Sequence, residues 1–300
     1  MKERYDLKKD GICGRWFEGT TNREKVVIAI PGTGTAEENM MKLLGYIPRA
    51  GYSMLVIGHS VWNDDLPTDP IQVPLEYVER AIELLKKDGF KHIAMFGVSF
   101  GARYDLVCAS MFKEIEVVIS AAPYDYITES VKGVTKPLKC STITYKGKDL
   151  PYIDVKVLHH NLLVGFIKLL FSKGYGLGNM MRWGYNSCDE KEGARVRCED
   201  ITADVLLLAP AVDDCWPSDV AVPRIEKRIK EAGKVKRLKT VIYPQGSHII
   251  ALDLDATPDR KKKMQSMLTM EKKNPSACDK ARRDSMKEVI DFLDKWDISE

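Results

Sequence analysis

The pentapeptide Gly97-Val98-Ser99-Phe100-Gly101 lies between an apolar run, His92-Ile93-Ala94-Met95-Phe96, and a helix-compatible stretch from Ala102 to Phe112. A strand that turns at once into a helix crowds its backbone on both sides of the apex, and glycines two residues before and after the serine relieve that crowding. The serine is then held in a strained conformation. Its hydroxyl stands above the sheet, and the next backbone N–H is free to meet an oxyanion. A glycine-rich turn with an incidental serine matches the same five letters, but here strand, elbow and helix follow in the required order.

Strand-like runs at 26–30, 53–57, 92–96, 115–121, 204–209 and 239–243 alternate with helical patterns. Leu75, Val78, Ala81, Ile82 and Leu85 recur at helical spacing after Pro74, with Gly89 just beyond, and a last helix is expected at about 279–297 with Met286, Val289, Ile290, Leu293 and Trp296 on one stripe. Such alternation predicts an α/β fold, a mostly parallel, doubly wound sheet with helices on both faces. The first twenty-five residues, with Gly11, Gly14 and Gly19, are expected to add a small antiparallel edge.

Between about 124 and 200 the alternation stops, far longer than a crossover needs. An insertion at that point is expected to form a cap or lid over the carboxyl edge of the sheet. Its apolar run Leu162–Phe171 is followed by Gly174, Gly176 and Gly178. Leu163 and Phe166 are candidates for the wall of an apolar pocket, unless the run only packs a small core of its own.

A serine hydroxyl is a poor nucleophile until a base takes its proton. In folds with this elbow the order along the chain is serine, acid, histidine. After the buried-strand run 204–210 come Asp213 and Asp214, and after the strand at 240–243 comes His248. Both positions fall at carboxyl ends of strands, where a triad belongs. Asp213 stands four residues before Pro217, a spacing common to the acid of such enzymes, and is preferred, with Asp214 left as the alternative. His92 starts a strand, His59 follows one, and His159 and His160 lie in the insertion, so His248 is the candidate base. A second oxyanion donor is expected in Pro31-Gly32-Thr33-Gly34-Thr35, with Thr33 N–H beside Phe100 N–H. Gly32 and Trp216 are added as candidate substrate contacts. No G-x-x-x-x-G-K-[ST] or full G-x-G-x-x-G is present, which argues against nucleotide binding.

Hydrophobic content of 44% is ample for a core, and a net charge of +3 does not suggest a nucleic-acid binder. No uncharged run approaches the ~20 residues of a membrane span, and the charged amino terminus does not resemble a secretory signal. The seven cysteines are scattered without a C-x-x-C, so neither a zinc knuckle nor a disulfide framework is indicated, and a cytoplasmic setting is expected.

Four further segments resemble one family. Pro74-Leu75-Glu76-Tyr77-Val78-Glu79-Arg80-Ala81-Ile82 is similar to the PLEYFE-x-A helix of the acyl-CoA thioesterase and bile acid-CoA:amino acid N-acyltransferase family. Tyr145-Lys146-Gly147-Lys148-Asp149-Leu150-Pro151 resembles its YKG-x-x-LP hairpin, and Asp213-Asp214-Cys215-Trp216-Pro217-Ser218 its acid-bearing segment. Ala281-Arg282-Arg283-Asp284-Ser285-Met286 is similar to ARRDSW of bacterial members. The resemblance spans roughly 26–296 and implies a single α/β-hydrolase domain over 1–300. The implied activity is cleavage of acyl thioesters, acyl-CoA foremost, through an acyl-serine intermediate on Ser99 with Asp213 and His248. Ordinary carboxylic esters, transfer to an amine or alcohol, and bare acyl binding are the alternatives. No metal or cofactor is implied, the partner is a small acyl substrate, and homo-oligomerisation stays open.

The chain also departs from that pattern. Larger members carry an immunoglobulin-like sandwich, which is not expected within these 300 residues. The acid segment has one residue fewer between its aspartates and its tryptophan, and the glycine loop is not GSGGG. Transferase members carry cysteine at the elbow and thioesterases serine, so Ser99 points to water as the acceptor.

Overall fold

A computed structural model describes residues 1–133, 136–154 and 192–297. Its strands are β1 (Arg4–Tyr5), β2 (Cys13–Phe17), β3 (Asn22–Ile30), β4 (Tyr52–Gly58), β5 (Val73–Pro74), β6 (His92–Val98), β7 (Ile115–Ala121), β8 (Glu129–Lys132), β9 (Lys136–Ser141), β10 (Ile143–Tyr145), β11 (Lys148–Asp149), β12 (Asp204–Pro210) and β13 (Leu238–Tyr243). Eight form one sheet in the order β1-β2-β4-β3-β6-β7-β12-β13. β1, β2 and β4 pair antiparallel, and every later pair is parallel. The antiparallel edge is the amino-terminal one expected from the sequence.

The strands read as nearly unbroken apolar runs because both faces of the sheet are covered. On β3, Val26, Ile28 and Ile30 point into a core with Val78, Ala81, Ile82 and Leu85 of the helix Glu76–Lys87. Val27 and Ala29 face the other way, against Met40, Leu43 and Ile47 and against Val289, Phe292 and Leu293 of the helix Pro275–Asp294. Glu76 and Glu79 in the first turn of the Glu76–Lys87 helix, with Lys86 and Lys87 in its last, complement the helix dipole.

Two expectations change. The helix Pro275–Asp294 starts earlier than the periodicity suggests, with proline pre-set at its first turn. Its buried face holds Cys278, Ala281, Arg282, Ser285, Val289, Phe292 and Leu293, whereas Met286 and Ile290 are half-buried. The described parts of the insertion belong to the body of the fold. β8 pairs with β9, and β10 pairs with β11 on one side and, in parallel, with β5 on the other. Ile127, Ile143 and Ile153 sit in the same core as the elbow helix. The backbone of β5 offers β10 a partner, and Arg103 of the elbow helix ties down the start of the insertion. Leu163, Phe166, His159 and His160 lie outside the described residues. Among the described residues no helix is long and apolar enough to cross a membrane.

Candidate active site

β6 ends at Val98 and the helix Phe100–Met111 begins two residues later, so Ser99 alone makes the turn. It adopts φ 58°, ψ −115°, a left-handed-side backbone that a serine holds only under constraint. Its N–H donates to Ala121 O at 2.9 Å, which locks the apex to β7. A Cβ at Gly97 would come within 2.2 Å of Gly101 O, and one at Gly101 within 2.1 Å of Ile30 O. Both positions therefore admit nothing larger than glycine.

Asp213 follows β12 and is buried, 2% exposed. Its Oδ1 accepts the N–H groups of Cys215 (2.9 Å) and Trp216 (3.2 Å), and its Oδ2 accepts the Ser218 hydroxyl at the start of the helix Ser218–Ala232. The remaining approach is taken by His248 Nδ1, 3.0 and 2.9 Å from the two oxygens. An acceptor-only carboxylate at that distance fixes the tautomer: Nδ1 carries the proton, and Nε2 keeps a lone pair. Burial alone would push the imidazole pKa down. The charge and hydrogen bond of Asp213, with Asp214 behind it, leave it raised above the usual histidine value. Asp214 does not hydrogen-bond the ring. Its carboxylate accepts His248 N–H at 3.3 Å and Met270 N–H at 3.0 Å, and burial raises its pKa.

The histidine loop is fastened from behind. Ser247 donates its hydroxyl to Glu271, whose same oxygen is paired with Arg282, and all three side chains are buried. Ser285 accepts Ala251 N–H at 2.8 Å and donates to Arg282 O at 2.9 Å. These contacts give the ARRDS segment a physical role: two of its residues hold the loop that carries His248. Nothing in the periodicity reveals Glu271, which sits in a lysine-rich stretch.

On the other flank, Gly32 faces the elbow, and a Cβ there would lie 3.3 Å from Ser99 Cβ. Thr33 is exposed in the turn after β3, and Phe100 opens the elbow helix. His59 is buried, its Nε2 3.0 Å from Pro31 O and its ring 4.5 Å from that of Phe100. A carbonyl can only accept, so Nε2 carries the proton, and burial pushes the pKa down to about 4. His59 is thus a neutral brace on the glycine loop. Trp216 packs edge-on to His248 at 5.6 Å, stacks on Tyr124 at 5.4 Å and donates its indole N–H to Ala122 O. Arg103, one helical turn past Ser99, is also buried. It donates to Tyr126 O, Thr128 Oγ1 and Thr142 Oγ1, with its guanidinium over the rings of Phe100 and Trp216. Its position four residues after the serine, on a helix buried almost throughout, is a signal the sequence carried unread.

The structure therefore joins Asp213 to His248 and Gly32 to Ser99, and sets Trp216 against the histidine. Asp213, Cys215 and His248 could also hold a metal ion, since one ligand atom from each lies within 4.8 Å of the others. A cavity of about 580 Å³ lies at the opposite edge of the sheet, by the first residues of β6 and β12, lined by His92, Asp204, Arg237 and Trp296 among others.

Strand order and connectivity are those of the α/β-hydrolase fold. Acylaminoacyl peptidase from Pyrococcus horikoshii superposes with a TM-score of 0.54 at 12% identity, over 96% of this chain and 40% of that one. A monoacylglycerol lipase from Paleococcus ferrophilus gives 0.51 at 16%, over 95% and 99%. An esterase from Pyrococcus furiosus gives 0.50 at 14%, over 89% and 96%. This chain thus spans well under half the length of the peptidase. Residues 73–296 match the family model described as BAAT / Acyl-CoA thioester hydrolase C terminal, and the chain belongs to that family. No curated protein sequence matches the chain.

Proposed function

We propose that the chain is a serine hydrolase that cleaves acyl thioesters, acyl-CoA foremost, to free acid and thiol. The observation that carries this reading is the buried Asp213–His248 contact, at the strand ends of a sheet whose elbow holds Ser99 at positive φ. His248 Nε2 takes the Ser99 proton as the hydroxyl attacks the acyl carbonyl. Asp213 keeps the ring in the required tautomer and stabilises the imidazolium. Thr33 and Phe100 N–H groups receive the oxyanion, each such donor being worth ~3 kcal/mol in the transition state. His248 then protonates the leaving thiolate, and water, deprotonated by the same nitrogen, releases the acid from Ser99.

Thioester choice rests on the family and on serine, not cysteine, at the elbow. An oxygen-ester intermediate resists amines better than a thioester would, which favours water as acceptor. Fold neighbours that are lipases and esterases support ordinary carboxylic esters as the second reading. Hydrolysis rates over matched acyl-CoA and p-nitrophenyl ester series, with Ser99→Ala as the blank, decide between them. A kcat/KM higher for the oxygen esters than for acyl-CoA at every chain length would overturn the thioesterase reading. Adding glycine or taurine and finding amide as the main product would replace hydrolysis with transfer.

A further inference from the structure

The acid of the triad is followed two residues later by a thiol. A carboxylate oxygen of Asp213, Cys215 Sγ and a ring nitrogen of His248 all lie within 4.8 Å of one another, the one such group of three among the described residues. The thiol is held there by its own backbone, whose N–H donates to Asp213 Oδ1 at 2.9 Å. Carboxylate, thiolate and imidazole are the ligand types that zinc takes. Tetrahedral zinc, with bonds of about 2.0 Å to N and O and about 2.3 Å to S, spaces its ligand atoms by roughly 3.3–3.8 Å. Nδ1 and Oδ2 stand 2.9 Å apart and would separate by a few tenths of an ångström, while Sγ, within 4.8 Å of both, would close in by up to about an ångström.

We propose that Asp213, Cys215 and His248 form an inhibitory site for a thiophilic divalent cation of the Zn²⁺ class, which switches the hydrolase off reversibly. The cation takes the place of the proton between Nδ1 and Asp213. The Cys215 S–H bond breaks, its proton leaves to solvent, and sulfur gives its electron pair to the metal. The neutral imidazole passes to its other tautomer, with the remaining proton on Nε2. That nitrogen then has no lone pair to accept the Ser99 proton. A metal bound at Nε2 instead would occupy the same lone pair, so either mode disarms the base. Soft thiolate with imidazole selects Zn²⁺, Cd²⁺ and Co²⁺ over the hard, oxygen-seeking Mg²⁺ and Ca²⁺.

The inhibition rests on the proposed catalytic roles; the binding does not. Co²⁺ is therefore added to the protein and the near-ultraviolet thiolate-to-cobalt charge-transfer band is followed, alongside thioester hydrolysis in Zn²⁺ buffers. The wild-type protein is expected to show the band, to lose activity with Zn²⁺ and to regain it with EDTA, while Mg²⁺ does nothing. Cys215→Ser and Cys215→Ala keep the backbone N–H on Asp213. In both, the band is expected to vanish and the Zn²⁺ concentration for half-inhibition, each relative to its own uninhibited rate, to rise by at least about tenfold. Cys140→Ser, at a half-buried thiol outside the group, is expected to behave as wild type. A band that survives in both Cys215 variants, no band in the wild type, or equal Zn²⁺ sensitivity in all four proteins would overturn the proposal. A band without any hydrolysis would spare the metal site and sink the enzymatic reading instead.

Discussion

Ser99 sits on a backbone that the two neighbouring glycines make possible, and alanine tolerates that conformation about as well as serine. Ser99→Ala is therefore expected to melt like the parent while thioester hydrolysis falls by on the order of a million-fold. Retention of more than a few per cent of activity in the folded variant would remove Ser99 from the reaction. The two aspartates should separate cleanly. Asp213→Asn replaces the acceptor facing Nδ1 with a group that can donate, which costs ~10⁴-fold in turnover where it favours the wrong tautomer. Asp214→Asn loses only part of its hold on two backbone N–H groups, and its turnover at saturating substrate should fall far less. If Asp214→Asn proves the worse, the acid role passes to it. At this scale the sequence singles out residues where type and strand-end position coincide, as for the proposed nucleophile Ser99 and base His248. Spacing to Pro217 favours Asp213 over Asp214 but leaves both open, because only the direction of each carboxylate distinguishes two adjacent aspartates. Ser218 was equally hidden: its value lies in reaching back to Asp213 from the first turn of a helix.

The elements around the histidine loop explain why a helix at the far end of the chain matters to chemistry. Arg282→Met leaves the Glu271 carboxylate buried without its cation, a change that destabilises such pairs by roughly 3–5 kcal/mol. A lower melting temperature, a reduced kcat and slower labelling by a fluorophosphonate are expected together. The double variant Glu271→Met/Arg282→Met removes both charges and should recover most of the melting temperature. Its kcat should stay low, because Ser247 has lost its acceptor. Recovery of kcat along with stability would show that the pair only supports the fold. Periodicity foretold that this helix exists but misjudged its inward face. Arg282 and Ser285 look like surface residues by type, and they are inside because the loop they hold is inside.

Across the whole molecule, the order of strand-like runs was enough to foresee the parallel sheet, its antiparallel edge and the faces that helices cover. The union of β10 with β5 was not foreseeable: two residues, Val73 and Pro74, carry no period, and their partner lies about seventy residues away. The cap was expected from the length of the insertion alone, and length does not say which stretches return to the body. Asp213, Trp216 and His248 meet in one cluster, and the loop that carries the histidine is fastened by Glu271, Arg282 and Ser285, so its assembly depends on the order in which a ribosome delivers them. Ser99, Asp213 and His248 all emerge before the helix that begins at Pro275. A chain ended after Lys273 is expected to retain much of its parallel sheet by circular dichroism yet to ignore a fluorophosphonate that labels the full chain. Labelling at the full rate would break the link between loop and helix. If the link holds, an unfinished chain carries its proposed nucleophile unarmed, and translation itself delays the first turnover until the helix Pro275–Asp294 has docked.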